Sequence, residues 1–126
     1  MKHLLLVAVG GGVGAACRHL VNMATLKLIG AGFPWGTLTV NIVGSFAMGL
    51  FVEFLALKLN ASADLRLLIA TGFLGGFTTF SAFSLDTAVM IERGDMALAA
   101  LYIGVSVIGA IGGLFAGLSL ARSVLI

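Results

Sequence analysis

Four apolar runs fill almost the whole chain, and each is longer than the roughly 20 residues a helix needs to cross a bilayer. They cover residues 4–28, 37–59, 65–90 and 96–120, with short polar breaks between them. Hydrocarbon offers the peptide no hydrogen-bond partner, so such runs fold as helices whose backbone bonds are internal. Composition agrees. Only 10% of residues are charged and 60% are hydrophobic, against about 25% charged in ordinary soluble domains. The expected class is an all-α, multi-pass membrane protein with a single four-helix domain over residues 1–126. The 18 glycines are about twice average usage and suit helices that approach closely.

The breaks carry their own signals. Residues 30–36 hold the only proline, Pro34, beside Trp35, a residue type that anchors at headgroup level. Residues 60–64 offer Ser62 and Asp64 as candidate N-caps of the third helix. Residues 92–95 form the third break. The start, Met1-Lys2-His3 and an apolar run, resembles a signal peptide, but the apolar pattern continues to residue 28 and reads as the first membrane helix. An even number of spans puts both termini on one side, with Lys2, Lys58, Arg66 and Arg122. Lys27 and Arg93 fall on the other side, and Arg18 lies within the first span. So slight a bias gives no firm orientation. It fits either a small sample or a chain that inserts both ways and pairs antiparallel. Net charge +2 without a basic run excludes a nucleic-acid surface. Cys17, the only cysteine, leaves no internal disulfide.

One stretch departs from plain membrane helix: Gly72-Phe73-Leu74-Gly75-Gly76-Phe77-Thr78-Thr79-Phe80-Ser81-Ala82-Phe83-Ser84. Paired glycines make unwinding inexpensive, and hydroxyls can satisfy the backbone groups that unwinding frees. That predicts a third helix broken within the membrane, building an ion site. The competing reading is an intact helix whose glycines serve packing. Phe80 and Phe83 share a helix face, and aromatic ring edges are electropositive. They either line an anion path or simply pack. Thr79 and Ser81 add donors nearby. Asn41, in the second span, either donates to an anion or bonds a neighbouring helix. Arg18 either lines a vestibule or snorkels to the interface. Asp86 is a pore-mouth charge or an interfacial residue.

Gly10-Gly11-Gly12-Val13-Gly14 lacks the ending of a phosphate loop. Small residues at Gly10, Gly14 and Cys17 fit close helix packing instead. No serine elbow or histidine cluster suggests an enzyme. The polar positions on several spans exceed what one four-helix bundle could bury around a wet path, so an oligomer is expected, a dimer being simplest.

The chain resembles the Fluc (CrcB) family of fluoride channels over essentially its whole length. The resemblance rests on Gly11-Gly12-Val13-Gly14-Ala15-Ala16-Cys17-Arg18, on Gly36-Thr37-Leu38-Thr39-Val40-Asn41-Ile42-Val43-Gly44-Ser45-Phe46, and on the 72–84 stretch, the most specific of the three. It implies an antiparallel, dual-topology homodimer in the cell (inner) membrane, with two fluoride pores and a structural sodium ion (Na+) at the dimer centre. The sodium would be held by backbone carbonyls of Gly75 and Thr78 from both subunits. Phe80 and Phe83 would line the pores, with Asn41 donating to the ion. Thr39, Ser81, Tyr102 and Ser106 would supply polar groups, and Arg18 the vestibule charge. Asp86 stands where relatives often carry glutamate. The rival is a small dual-topology cation/proton antiporter, for which Glu53, towards the end of the second span, is the only candidate carboxylate. A non-conducting membrane assembly factor is a third class.

Overall fold

The computed structural model describes residues 1–56 and 63–125. Helix α1 is Lys2–Leu28 and α2 is Trp35–Phe54. The third segment, Ala63–Glu92, is two helices: α3, residues 63–77, and α4, Phe80–Glu92. Helix α5 is Met96–Leu125. All four segments are long and apolar enough to cross a membrane, and there is no strand among the described residues.

Turn chemistry explains the joints. Gly30 takes φ 106° after α1 and Gly94 takes φ 84° after α4, conformations that cost an L side chain energy. Around Gly94 the Asp95 N–H reaches back to the Met90 carbonyl at 2.9 Å, closing α4 with a Schellman turn. Trp35 opens α2 with its ring 4.8 Å from Phe33. The expected end of the second span at residues 57–59, Lys58 and the N-cap candidate Ser62 lie outside the described residues. Asp64 lies within the helical residues Ala63–Arg66. It accepts from Lys2 at 2.9 Å and lies 3.3 Å from His3, so its carboxylate ties the start of α3 to the start of α1.

The helices pack as two close pairs, α1 on α3 and α2 on α5. Gly10 and Gly14, one turn apart, bring α1 into backbone contact with α3. A methyl at Gly10 would strike the Leu68 carbonyl, and one at Gly14 the Phe73 carbonyl and, at 2.9 Å, the Phe77 nitrogen. From the other side Gly76 abuts the Gly11 carbonyl. In the second pair, Gly49 faces the Leu114 carbonyl and Gly117 the Phe46 carbonyl. Lipid is as apolar as a side chain, so membrane helices gain by close packing rather than by leaving water. Gly14→Ala is expected to destabilise the fold by about 2 kcal/mol, read as a lower thermal unfolding midpoint in detergent. An unchanged midpoint would show that α1 and α3 separate without penalty.

Two features of the third segment differ from the sequence reading. Leu67–Leu74 is wound in wide π-type turns. The Gly75 N–H, for example, bonds back to the Ala70 carbonyl. Nothing in the residue types announces this. Ala70, Gly72 and Leu74 of this stretch are buried. The break also falls later than the paired glycines. Gly75–Phe77 remain helical, and Thr78 (φ −84°, ψ 160°) and Thr79 (φ −154°, ψ 119°) are extended. Both threonines keep negative φ, so unwinding needs no glycine. Of the paired glycines before it, Gly76 serves the α1 contact.

The most buried side chains are Tyr102, Met90 and Val40. Tyr102 and Met90 form a core cluster with Leu38, Phe83 and Ala99 where α2, α4 and α5 meet. At the far end Arg122 of α5 pairs with Glu53 of α2 at 3.1 Å.

Candidate functional site

The site is built on the extended pair Thr78–Thr79, halfway along the third segment. Extended backbone at this depth needs partners for its polar groups. One side chain provides two of them. Asn41 Oδ1 accepts from the Thr79 N–H at 2.7 Å, and Asn41 Nδ2 donates to the Thr79 carbonyl at 3.0 Å. One turn on along α2, Gly44 leaves space that the Thr78 methyl fills. The threonines serve themselves as well. Thr78 donates through both N–H and Oγ1 to the Leu74 carbonyl, each at 3.1 Å. Thr79 Oγ1 caps α4 by accepting from the Ala82 N–H at 3.2 Å.

These bonds decide which carbonyls are left over. In unbroken helix the Gly75 carbonyl would accept from the Thr79 N–H, and the Thr78 carbonyl from the Ala82 N–H. Asn41 and the Thr79 hydroxyl take those donors instead. Among the described residues neither carbonyl regains a donor. Gly75 is exposed on the protomer surface and Thr78 half-buried. Of the two carbonyls between them in sequence, that of Gly76 accepts from Arg18 Nε at 3.1 Å. Arg18 is thus seated beside the break.

On the other side of the break a cleft of about 390 Å³ opens between α2, α4 and α5. Asn41, Phe80, Phe83 and Ser106 line it, together with both threonines of the break. Ser106 Oγ is buried without a hydrogen-bond partner. Such a group costs about 1–3 kcal/mol when left unpaired, so a polar occupant suits it. Asn41 Nδ2 has a second N–H that no described residue accepts. The Phe80 and Phe83 rings lie 5.4 Å apart, inclined at 50°. Phe83 is buried, whereas Phe80 is 76% exposed at the open mouth. The cleft therefore offers neutral donors and aromatic edges with no fixed charge on its lining.

Other sequence candidates stand outside the lining. Tyr102 packs behind Phe83 at 5.1 Å and donates its hydroxyl to Asp86 at 3.0 Å. The aspartate is thus long enough to reach across to α5. Asp86 itself faces a second cleft of about 480 Å³ with Asn22, Thr37 and Arg93, so the Phe83–Tyr102 layer stands between two hollows. Ser81 is exposed and lies 3.3 Å from the Thr79 hydroxyl. Thr39 is half-buried on α2. Ser45, given no role beyond its place in the 36–46 motif, does line the first cleft. Its spacing of four from Asn41 was the available signal. Glu53 is held by Arg122 at the end of α2, three turns from Asn41, and lines neither cleft.

The family model described as "CrcB-like protein, Camphor Resistance (CrcB)" matches residues 5–118. The chain belongs to the CrcB-like family. Curated CrcB-like relatives match it nearly end to end. One from Chelativorans sp. (strain BNC1) is 58% identical, covering 99% of this chain and 100% of the relative. One from Mesorhizobium japonicum is 60% identical over 98% of both. Both relatives are named fluoride-specific ion channel FluC. A third, from Nitrobacter hamburgensis, named fluoride-specific ion channel FluC 2, is 55% identical over 94% of this chain and 95% of its own. With four membrane-length helices, this CrcB-like chain is a multi-pass membrane protein.

Proposed function

We propose that the protein is a fluoride-selective channel that lets cytoplasmic fluoride leave passively, working as an antiparallel dual-topology homodimer with two pores. One observation carries the reading: the cleft beside the break combines a buried unpartnered hydroxyl, a free amide N–H and two phenylalanines, in a chain more than half identical to fluoride-specific channels. Moving a carboxylate-sized ion from water into low dielectric costs on the order of 20 kcal/mol, and a smaller anion costs more. Neutral donors lower that cost without trapping the ion. The exposed Phe80 and the open cleft mouth support a second copy as the missing wall. The slight bias of basic residues between the two sides supports insertion in both orientations.

A structural sodium ion completes the proposal. Its donors would be the Gly75 and Thr78 carbonyls of both copies, two of those that lose their helical partners at the break. Carbonyl oxygens suit a hard alkali cation. When bound, the ion would neutralise the negative ends of two facing α3 helices.

The decisive test is efflux from fluoride-loaded liposomes followed with a fluoride electrode. Fast fluoride release with chloride retained is the expected result. Release no faster than from protein-free liposomes, or equal passage of chloride, rejects the channel. Proton-coupled uptake of an organic cation would instead favour an antiporter.

A further inference from the structure

We infer that Arg18 is a positioning residue for the cation site, holding the Gly76 carbonyl away from the ion while those of Gly75 and Thr78 serve it. The inference rests on the sodium reading above. Gly10, Gly14 and Arg18 recur every four residues and so share one face of α1. The two glycines let that face touch the α3 backbone. At this approach Arg18 reaches α3 through Nε, its innermost guanidinium nitrogen, 3.1 Å from the Gly76 carbonyl. The break takes from that carbonyl the Phe80 N–H it would meet in unbroken helix, and Arg18 replaces it. Left free, the Gly76 carbonyl would compete with those of Gly75 and Thr78 for the ion. With Gly76 tied to α1, the peptides on either side are held in one orientation before the ion arrives.

The sign of one measurement separates this role from two others. Thermal unfolding of the full-length protein in detergent is followed against sodium, with N-methylglucamine as replacement at constant ionic strength. The wild-type midpoint rises with sodium. In Arg18→Gln the sodium concentration giving half of that rise is expected to increase about tenfold, because a peptide must then be ordered when the ion binds. In Arg18→Lys, which keeps the charge but not the Nε–H, it increases about threefold. If Arg18 acts only as a nearby positive charge, its loss lowers the sodium requirement. If it is only structural, the midpoint falls equally at every sodium concentration. Either result overturns the inference, and Arg18→Lys decides it if Arg18→Gln does not fold. A wild-type midpoint indifferent to sodium removes the sodium reading and this inference together, whereas an indifferent variant beside a responsive wild type removes this inference alone.

Discussion

Asn41→Ala is expected to cut fluoride efflux about a hundredfold and to lower stability by about 3 kcal/mol. The two effects have separate origins. Stability falls because the Thr79 N–H and carbonyl lose their partners at 2.7 and 3.0 Å, and a buried polar group left unpaired costs about 1–3 kcal/mol. Flux falls because a hydrogen bond to an ion is worth about 1.5–3 kcal/mol, and each 1.4 kcal/mol is tenfold in rate. Asn41→Asp separates them. Its carboxylate still accepts from the Thr79 N–H but donates nothing and repels an anion. Flux in Asn41→Asp should match empty liposomes, while the midpoint falls less than in Asn41→Ala. Full conduction in Asn41→Asp would remove Asn41 from the anion path and leave it a brace for the break.

Phe80→Ile is the second large effect, and here stability and flux should part. Phe80 is 76% exposed in the protomer, so the exchange forfeits little packing within one copy. It replaces an electropositive ring edge with an alkyl group that has no comparable dipole. Efflux is expected to fall at least tenfold, with an unfolding midpoint close to wild type. A non-conducting assembly factor would be indifferent to the change. Phe83→Ile makes a contrast, because Phe83 is buried against Tyr102 at 5.1 Å. That variant should lose both flux and about 1–3 kcal/mol of stability. Equal midpoints for the two would mean that a partner copy buries Phe80 as deeply as the core buries Phe83.

Membrane residence, four crossings and a break in the third could be read from the residues, because lipid allows a short menu of backbone structures and each has a plain pattern. Apolar runs of 23 or more residues can only be spanning helices here, and hydroxyls beside glycines within such a run signal a break. Gly10 and Gly14 were legible for the same reason: their spacing of four puts both on one helix face. The tertiary structure alone decided where the backbone opens and who serves it. That depends on partners distant in sequence, such as Asn41 for Thr79 and Arg18 for Gly76, 38 and 58 residues away. Hydrogen bonds between helices follow rotation and depth, which no local pattern encodes. So Gly75 and Gly76 looked like the point of unwinding but stay helical, Gly76 against α1, while two threonines with ordinary negative φ form the gap. The freed carbonyls, the buried Ser106 hydroxyl and the Tyr102–Asp86 bond exist only once α2, α4 and α5 are brought together.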